Sequence, residues 1–484
     1  MNAINPTDHV SAEMQRVLQL QRKSFQAEGR VSVKTRVDRI ERCIDLVIDN
    51  QDKLVDAMMS DFGHRSRHQC LMADIFATLA MAKHNKKQVV KWVRSDKRKV
   101  NFPLNLFGAR ARIEYQPLGV VGNIATWNFP VHTVLGPMLG MLAAGNRVMQ
   151  KFSEVAPASG ELLETLFVKY YNEEEVRGFN GGPEVGAAFA SLPLDHILFT
   201  GATSIGRHIL QAAALNLTPV TLELGGKSPV IIDDKADLKD VAERLLAGKA
   251  LNAGQVCLSP DYVFIPKAKK ELFIGELRGV TKELFPTGLR DNPDVTSVIN
   301  ARHQQRLQSY IDDACDRGGD VRDLNPLEED FSQQQGTTKV PFTLIVDPTE
   351  EMRVTQEEIF GPLLIIKTYE DVSECIDYIN AHDRPLALYL FGKDQVLQRK
   401  VLDHTLSGGV TINDVMMHVS CEDLPFGGVG ASGMGNYHGF EGFKTFSHAR
   451  SIYTQSKINL MKLGGMLPPY GEKCEKALAG MLKK

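Results

Sequence analysis

The chain has 484 residues, a length that predicts two or three domains rather than one. Hydrophobic residues make up 43% and charged residues 24%, close to the globular average, which excludes disorder, collagen or coiled coil as the main architecture. The net charge of -3 gives no overall attraction to nucleic acid or to an anionic membrane. We therefore expect no nucleic-acid partner.

Neither a targeting segment nor a cysteine framework is indicated. Charged residues between Asp8 and Lys23 interrupt any secretory apolar core. The longest mostly apolar stretch, 134–145, is shorter than the about 20 residues that cross a bilayer, so we expect no integral membrane span. Seven scattered cysteines without a CxxC pair argue against a disulfide framework and against a metal site. A cytoplasmic location fits these features best.

The first hundred residues are predicted to be helical. Apolar residues from Val37 to Met58 recur at spacings of three and four, which indicates one buried helix face. Leu71 to Val93 predicts a further helix, and Pro103 with Gly108 then breaks the pattern.

From about residue 110 short apolar runs alternate with helical segments, which predicts an α/β fold with parallel sheets covered by helices on both faces. Two consecutive domains of this doubly wound type are the simplest interpretation, with further units between 342 and 403. The predicted strands are 118–125, 147–151, 196–200, 220–224, 229–232 and 262–265, and the predicted helices are 134–144, 156–171, 204–215, 238–251 and 269–284.

One glycine motif matches the dinucleotide fingerprint only in its letters. Gly428-Val-Gly-Ala-Ser-Gly433 has the spacing GxGxxG, but the fingerprint needs a strand before it and a helix after it. Neither is predicted here, so a turn-rich loop is favoured.

Cys257 differs from the other cysteines because it lies in a polar, Gly-containing stretch, 252–260, that follows a predicted helix. Loop thiols near backbone N–H groups can ionise below their usual pKa of about 8.5 and attack carbonyl carbons. A buried packing thiol is the alternative. The local pattern leaves both open.

Glu223 is a carboxylate inside an apolar strand, which is costly unless the group is paired or functional. Desolvation would raise its pKa toward the range of a general base. The alternative is a buried Glu bonded to backbone amides, and the pattern does not decide between the two.

Candidate binding residues follow two further predicted strands. Asn128 follows a predicted strand, where its amide could donate to an oxyanion, although the local pattern taken alone favours a turn residue before Phe129-Pro130. Gly201 and Gly206 open a predicted helix, where a pyrophosphate could lie on backbone N–H groups. Glycine also commonly marks ordinary strand–helix turns.

Seven segments in one order resemble the aldehyde dehydrogenase superfamily, over roughly 118–450. They are Trp127–Pro130, Lys151–Glu154, Phe199–Gly206, Leu222–Ser228, Asn252–Cys257, Glu357–Pro362 and Pro425–Gly428. The family has a Rossmann-like cofactor domain without the GxGxxG fingerprint. The resemblance implies two doubly wound parallel-sheet domains and a small β bridging element.

The resemblance also implies a role for each matching residue. Cys257 would be the nucleophile that forms a thiohemiacetal with the aldehyde, Asn128 would hold the oxyanion with the Cys257 N–H, and Glu223 would activate water against the thioacyl enzyme. The implied cofactor residues are Lys151 and Glu154 for the adenosine ribose, Gly201 and Gly206 for the pyrophosphate, and Glu358 and Phe360 for the nicotinamide ribose and ring, together with Trp127.

NAD is the implied cofactor, with NADP possible. Glu154 would repel a 2′-phosphate but would bond well to a ribose diol. Three positions depart from common members of the family: Thr126 and Phe152 replace proline, and Ala202 replaces a frequent serine.

The C-terminal segments 435–439, 443–448 and 467–470 are similar to the class 3 and fatty-aldehyde branch. Segments 206–208, 217–221 and 259–262 resemble bacterial coniferyl aldehyde dehydrogenases, which implies oxidation of coniferaldehyde to ferulate or of a broad range of aromatic and medium-chain aldehydes. Class 3 members are homodimers.

The implied domain division is a cofactor domain at 1–97 and 118–222, a catalytic domain at 223–405, a bridging element at 98–117 and 406–455, and a tail at 456–484. Charged residues interrupt any long apolar helix in the tail, so a short amphipathic helix that packs on the body is favoured over weak association with a membrane surface. The main alternative function is a cofactor-independent thiol esterase or acyl transferase that uses the same Cys257.

Overall fold

The computed structural model describes residues 6–482. Sixteen strands are present within this range: β1 (Asp96–Arg98), β2 (Arg110–Pro117), β3 (Val120–Ile124), β4 (Arg147–Lys151), β5 (Val176–Phe179), β6 (His196–Gly201), β7 (Val220–Leu224), β8 (Ser228–Ile232), β9 (Pro260–Pro266), β10 (Asp320–Asp323), β11 (Thr343–Val346), β12 (Leu363–Tyr369), β13 (Ala387–Phe391), β14 (Gly409–Ile412), β15 (Gly433–Met434) and β16 (Ser447–Thr454).

The same range contains eighteen α-helices: α1 (Pro6–Glu28), α2 (Val33–Asp49), α3 (Gln51–Asp61), α4 (Arg67–Cys70), α5 (Ala77–Trp92), α6 (His132–Ala144), α7 (Pro157–Tyr170), α8 (Pro183–Ala190), α9 (Thr203–Ala214), α10 (Leu238–Ala250), α11 (Lys270–Leu284), α12 (Ala301–Asp316), α13 (Arg353–Gln356), α14 (Val372–Ala381), α15 (Gln395–His404), α16 (Gly439–Thr445), α17 (Leu460–Leu463) and α18 (Glu472–Met481).

The first large sheet has six strands in the order β15-β7-β6-β3-β4-β5. Neighbours pair in parallel except β15, which runs antiparallel to β7. Every residue of β3 and β4 is buried, as expected for central strands that helices cover on both faces. The carboxyl ends of β3, β6 and β7 therefore lie along one edge, where ligands bind in sheets of this kind.

The second large sheet has seven strands in the order β10-β11-β12-β9-β8-β13-β14, all parallel except β10 with β11. A third sheet, β1-β2-β16, is small and antiparallel. The predicted α/β class, with two largely parallel sheets and a small extra β element, is confirmed. The division into domains stays a prediction, and strands β14 and β15 of the segment 406–455 belong to the two large sheets.

The helical N-terminal part departs from the prediction in two places. The apolar stripe from Val37 to Met58 is two helices, α2 and α3, separated at Asn50. The helix predicted over Leu71–Val93 is a π-helical turn, Leu71–Phe76, followed by α5. The π-helix turns Asp74 fully into the interior, whereas Met72 and Phe76 remain exposed. Such turns are frequent at functional sites.

The GxGxxG segment is a tight loop and not a dinucleotide fingerprint, as predicted. A loop precedes it, and its last residue, Gly433, is the first residue of strand β15. Its backbone pairs with β7, where the Leu224 N–H donates to the Ser432 carbonyl at 3.1 Å. The glycines allow this close approach of two backbones.

No helix within residues 6–482 is both long and apolar enough to cross a membrane. The tail forms α17 and α18, but Cys474 is the only buried residue of α18, and Leu478 and Met481 remain exposed. The expected packing of the tail helix on the body is therefore small.

Candidate active site

One large cavity, with a volume of about 1450 Å³, lies where the carboxyl ends of β3, β6 and β7 approach the loop before β9. Its walls are mostly apolar. Seven of the predicted site residues line it: Trp127, Asn128, Gly201, Glu223, Cys257, Glu358 and Phe360. Lys151, Glu154 and Gly206 do not line this cavity.

The loop that carries Cys257 is held in an unusual conformation. Asn252 and Ala253 have φ values of 51° and 53°, and Gly254 follows at 72°. Two consecutive non-glycine residues in the left-handed region are strained, and such strain persists only where the surroundings fix it. The side chain of Gln255 supplies part of this support, because it donates to the carbonyls of Asn252 and Ser297 at 2.9 and 3.0 Å.

Asn128 is tied directly to the same loop. Its Nδ2 donates to the Gln255 carbonyl at 3.0 Å, and its own carbonyl accepts from Asn252 Nδ2 at 2.9 Å. The side chain is buried. An amide nitrogen carries two hydrogens, so one remains for an acceptor in the cavity. The second hydrogen of the Asn128 amide is therefore available to an acceptor in the cavity that Cys257 also lines.

The Cys257 thiol is not ionised by its surroundings. Burial, followed by the nearby carboxylates of Glu358 and Glu223, raises the pKa of the thiol to about 12. The lowered pKa that a helix terminus can give is therefore not found in this arrangement. A thiolate forms here only if a base or an added positive charge offsets these effects.

Glu223 is the strongest candidate base. Its side chain is buried, and neither carboxylate oxygen has a hydrogen-bond partner within residues 6–482. Burial raises its pKa well above 4.5. The alternative of a Glu bonded to backbone amides is wrong, because those bonds are absent from the described chain. The position at the end of β7 directs an unpartnered carboxyl group to the cavity that holds Cys257.

The turn that carries Glu358 and Phe360 closes another side of the cavity. Phe360 has a φ of 47° and packs edge-on against Trp127, with ring centroids 5.4 Å apart. Arg306 fixes the turn by donating to the carbonyls of Glu358 and Phe360, each at 3.3 Å. Burial raises the pKa of Glu358 to about 7.

Gly225 allows Glu358 to lie where it does. A Cβ at Gly225 would overlap the Glu358 carboxyl group, so the glycine permits this close approach. The Gly226 backbone also donates to this carboxyl group, which lowers its pKa in part.

The candidate adenosine residues form a separate pair beside the cavity. Lys151 is buried at the end of β4, and its Nζ donates to the Phe152 carbonyl at 2.5 Å. Glu154 lies 3.5 Å from Nζ and leaves 45% of its side chain exposed. A carboxylate held by a lysine and open to solvent fits the hydroxyls of a ribose.

The two glycines of the β6–α9 junction have different surroundings. Gly201, Ala202 and Thr203 line the cavity at the N-terminus of α9, where backbone N–H groups can donate hydrogen bonds to an anion. Gly206 is buried one turn later, and a Cβ there would lie 2.9 Å from Leu224 Cδ2. Gly206 therefore serves helix–sheet packing.

A buried ion pair behind Asn128 was missed from the sequence. Arg65 Nη2 lies 2.9 Å from Asp74 Oδ2, and both side chains are fully buried. Asp74 Oδ1 also accepts from the N–H groups of Val131 and His132 at 3.1 and 2.9 Å, at the start of α6. Arg65 stands in the polar stretch 64–69, where no apolar pattern marks it as buried, and the available signal was an acidic residue within the apolar run 71–76.

Residues 5–452 match the profile of the aldehyde dehydrogenase family. The chain belongs to the aldehyde dehydrogenase family. The sequence is 48% identical to coniferyl aldehyde dehydrogenase of Pseudomonas sp. strain HR199, over 95% of this chain and 94% of that enzyme. It is 34% identical to aldehyde dehydrogenase family 3 member A2 of Macaca fascicularis, over 92% of this chain and 88% of that relative.

Among solved structures, this aldehyde dehydrogenase is similar to the substrate-bound AldH of Staphylococcus aureus, with a TM-score of 0.89 and 32% identity over 97% of this chain and 99% of that one. The resemblance to the class 3 and coniferyl branch is confirmed by these relatives, and so is the prediction of an oxidoreductase of this family.

Proposed function

We propose that this aldehyde dehydrogenase oxidises an aldehyde to a carboxylic acid through a thioester on Cys257. The observation that carries the proposal is the shared cavity of Cys257, the unpartnered carboxyl group of Glu223 and the amide of Asn128. A nucleophile, a base and an oxyanion donor within one largely apolar cavity are the groups that acyl chemistry needs.

In the proposed first step the Cys257 sulfur attacks the aldehyde carbon, and its proton passes to a base. Asn128 Nδ2 and the Cys257 N–H donate to the resulting oxyanion. A bound NAD(P)⁺ would supply the hydride acceptor and a positive charge that favours the thiolate. The C–H bond breaks as the carbonyl re-forms, which leaves a thioacyl enzyme.

In the second step Glu223 takes a proton from water while the water oxygen attacks the thioester carbon. The carbon–sulfur bond breaks, the acid leaves and Cys257 is regenerated. Burial supports this role because it raises the pKa of Glu223, which makes the carboxylate a stronger base than an exposed one.

The residues fit a nicotinamide dinucleotide, although none of the proposed cofactor residues is a cationic side chain placed at the pyrophosphate. Glu154 with Lys151 would hold the adenosine ribose, the α9 N-terminus from Gly201 would face the pyrophosphate, and Gly206 would keep α9 close to the sheet. Trp127, Glu358 and Phe360 would position the nicotinamide and its ribose. The negative charge of Glu154 favours NAD over NADP.

We further propose coniferaldehyde, or a range of aromatic and medium-chain aldehydes, as the substrate, since the relative from Pseudomonas is a coniferyl aldehyde dehydrogenase. The seven free cysteines fit a reducing, cytoplasmic compartment. We also propose that the chain forms a homodimer. Its domain boundaries are proposed to lie at the bridging segment 98–117, at 223 and at 406, as the resemblance implies.

NADH formation, followed by ultraviolet absorbance, tests the activity. The panel is octanal, benzaldehyde and coniferaldehyde, each with NAD and with NADP. Cys257→Ser should abolish turnover and keep nucleotide binding, whereas Cys315→Ser, a change at an exposed thiol, should leave turnover unaltered. Normal turnover in Cys257→Ser would exclude the nucleophile. Ester hydrolysis without nucleotide, in the absence of aldehyde oxidation, would favour the thiol esterase instead.

A further inference from the structure

Two polar side chains of the large cavity are not used by the proposed chemistry. His438 and Glu422 both line the cavity, in the segment between β14 and α16. Neither ring nitrogen of His438 has a hydrogen-bond partner within residues 6–482, and the same holds for Glu422 Oε2. His438 is 2% exposed. Buried polar groups are normally paired, so an unpartnered pair in a cavity indicates a missing ligand group.

The His438 ring is fixed in one orientation by aromatic neighbours. Its centroid lies 4.6 Å from that of Tyr437 and 5.0 Å from that of Phe426. Burial, with His132 and His418 nearby, lowers the pKa of His438 to about 3, so the imidazole is neutral near pH 7. A neutral imidazole presents one donor and one acceptor.

Glu422 belongs to the same part of the cavity as the proposed catalytic groups. Burial, followed by electrostatic interaction with Glu223, Cys257 and Glu422, raises the pKa of the Tyr437 phenol, so Glu422 lies within electrostatic range of the same buried tyrosine as the proposed catalytic groups. Burial and the neighbouring Asp423 raise the pKa of Glu422 itself to about 7. Glu422 therefore can accept a hydrogen bond or, when protonated, donate one.

The remaining lining suits the body of an aromatic substrate. Phe129, Phe426, Met72 and Phe76 contribute apolar side chains to the cavity. A flat apolar molecule with one polar group at its far end would fill the apolar part and satisfy the isolated polar groups. A purely apolar substrate would leave His438 and Glu422 unpaired.

We propose that His438 and Glu422 bind a hydroxyl group carried by the ring of an aromatic aldehyde, and so select hydroxylated substrates. The inference rests on the proposed function and adds the residues that determine its specificity. A site built to hydrogen-bond a hydroxyl discriminates strongly against the analogue that lacks it, because the protein groups are then left unpaired.

The test compares kcat/KM for 4-hydroxycinnamaldehyde, 4-methoxycinnamaldehyde and cinnamaldehyde, which differ only at the ring position in question. The unaltered enzyme should prefer the hydroxylated aldehyde at least about 10-fold. His438→Phe and Glu422→Leu should each reduce this preference and keep kcat/KM for cinnamaldehyde within about twofold. Glu441→Gln, at a partly exposed carboxyl group of α16 outside the cavity, is the matched control and should keep the preference.

Turnover of cinnamaldehyde shows that each variant is folded, and the two variants test the site independently. An unchanged preference in both variants, or equal kcat/KM for all three aldehydes in the unaltered enzyme, would overturn the inference.

A binding measurement separates this inference from the proposed function. Calorimetric titration with 4-hydroxycinnamate and cinnamate should show at least about 10-fold tighter binding of the hydroxylated acid, and both variants should lose this difference. Selective binding without oxidation of any aldehyde would retain the hydroxyl site and reject the proposed activity. Oxidation without hydroxyl selectivity in either measurement would retain the activity and reject the site.

Discussion

The burial of Glu223 predicts that the rate of thioacyl-enzyme hydrolysis depends on pH. Its pKa is raised well above 4.5, so the carboxyl group holds its proton over more of the pH range, and the basic form grows as pH increases. We expect hydrolysis of the thioacyl enzyme to accelerate with rising pH. In Glu223→Gln this rise should disappear, and steady-state turnover should fall by about 10²- to 10⁴-fold. Stopped-flow recording of NADH between pH 6 and 9 measures both effects.

The size of the NADH burst decides which step Glu223 serves. A full burst followed by slow turnover in Glu223→Gln places the carboxylate in deacylation. If the burst is lost while NAD still binds, Glu223 acts on Cys257 instead, and the proposed division of roles is wrong.

The pKa of Cys257 gives a second prediction for a single residue. Burial and two carboxylates raise this pKa to about 12, so alkylation by iodoacetamide should be slow at pH 7 and should accelerate with pH. NAD⁺ should accelerate the reaction, because a positive charge beside the sulfur favours the thiolate. Mass spectrometry of the peptide that contains Cys257 measures the rate.

The exposed Cys315 provides the internal reference for this experiment, since its alkylation should not respond to NAD⁺. An identical response at both thiols would indicate a general change in the protein. Fast alkylation of Cys257 at pH 7 without nucleotide would contradict the raised pKa.

At the scale of single residues, the sequence identifies the candidate catalytic groups but not their protonation states. Cys257 and Glu223 stand in local patterns that can be read directly. The raised pKa of the thiol depends on Glu358, which is distant along the chain and reaches the site only through the fold. The unpartnered state of Glu223 likewise depends on what lies around it in three dimensions.

Among the elements, the π-helical turn 71–76 is bonded to the start of α6, which directly follows the loop that carries Asn128. Asp74 of this turn binds the first N–H groups of α6, and Arg65 packs over the ring of Phe129 at 5.2 Å. Asp74→Ala should lower the free energy of unfolding by about 3–5 kcal/mol, because it leaves a buried Arg65 charge unpaired. Thermal and denaturant unfolding measure this loss.

The double variant Arg65→Met/Asp74→Leu removes both charges and should recover most of the lost stability. Its kcat should nevertheless stay below that of the unaltered enzyme, since the α6 N–H groups lose their acceptor and the loop that carries Asn128 loses this anchor. Recovery of both stability and kcat would show that the pair has no role in positioning Asn128. The exposed pair Arg67–Asp52 is the matched control, and Arg67→Ala should change stability by less than about 1 kcal/mol.

Regular elements in the α/β part were predictable because each shows its own apolar pattern. The predicted strands at 147–151 and 220–224 agree with β4 and β7 at both ends. The π-helical turn was not predictable, since one added residue per turn leaves the apolar pattern nearly unchanged. The break at Asn50 was missed for a related reason: α2 and α3 continue the same buried face.

At the scale of the whole molecule, the order of the strands within each sheet could not be predicted from the sequence pattern. Strand β15 has two residues and joins β7 from more than 200 positions away, with no apolar run to mark it. The pairing depends on a close backbone approach that only the assembled fold reveals. Sheet class, by contrast, followed from the alternation of strands and helices along the chain.

The small sheet makes the proposed homodimer testable. Strand β16 has eight residues, lies at the edge of its sheet and is largely exposed, and none of the described residues pairs with its outer side. A long open edge is a template for pairing with another chain, and in a homodimer two copies of β16 can meet across a two-fold axis. Light scattering after gel filtration should then give about twice the chain mass of 53.7 kDa.

Neighbouring residues of a strand direct their N–H groups to opposite sides, so proline at Ala449 and at Arg450 separates the two edges of β16. Both residues pair with β2, opposite Tyr115 and Glu114. The variant whose lost N–H faces outward should elute as a monomer with little change in thermal midpoint. The other should unfold at lower temperature because it breaks a bond to β2. Dimers in both variants, or a monomeric unaltered enzyme, would exclude pairing through β16.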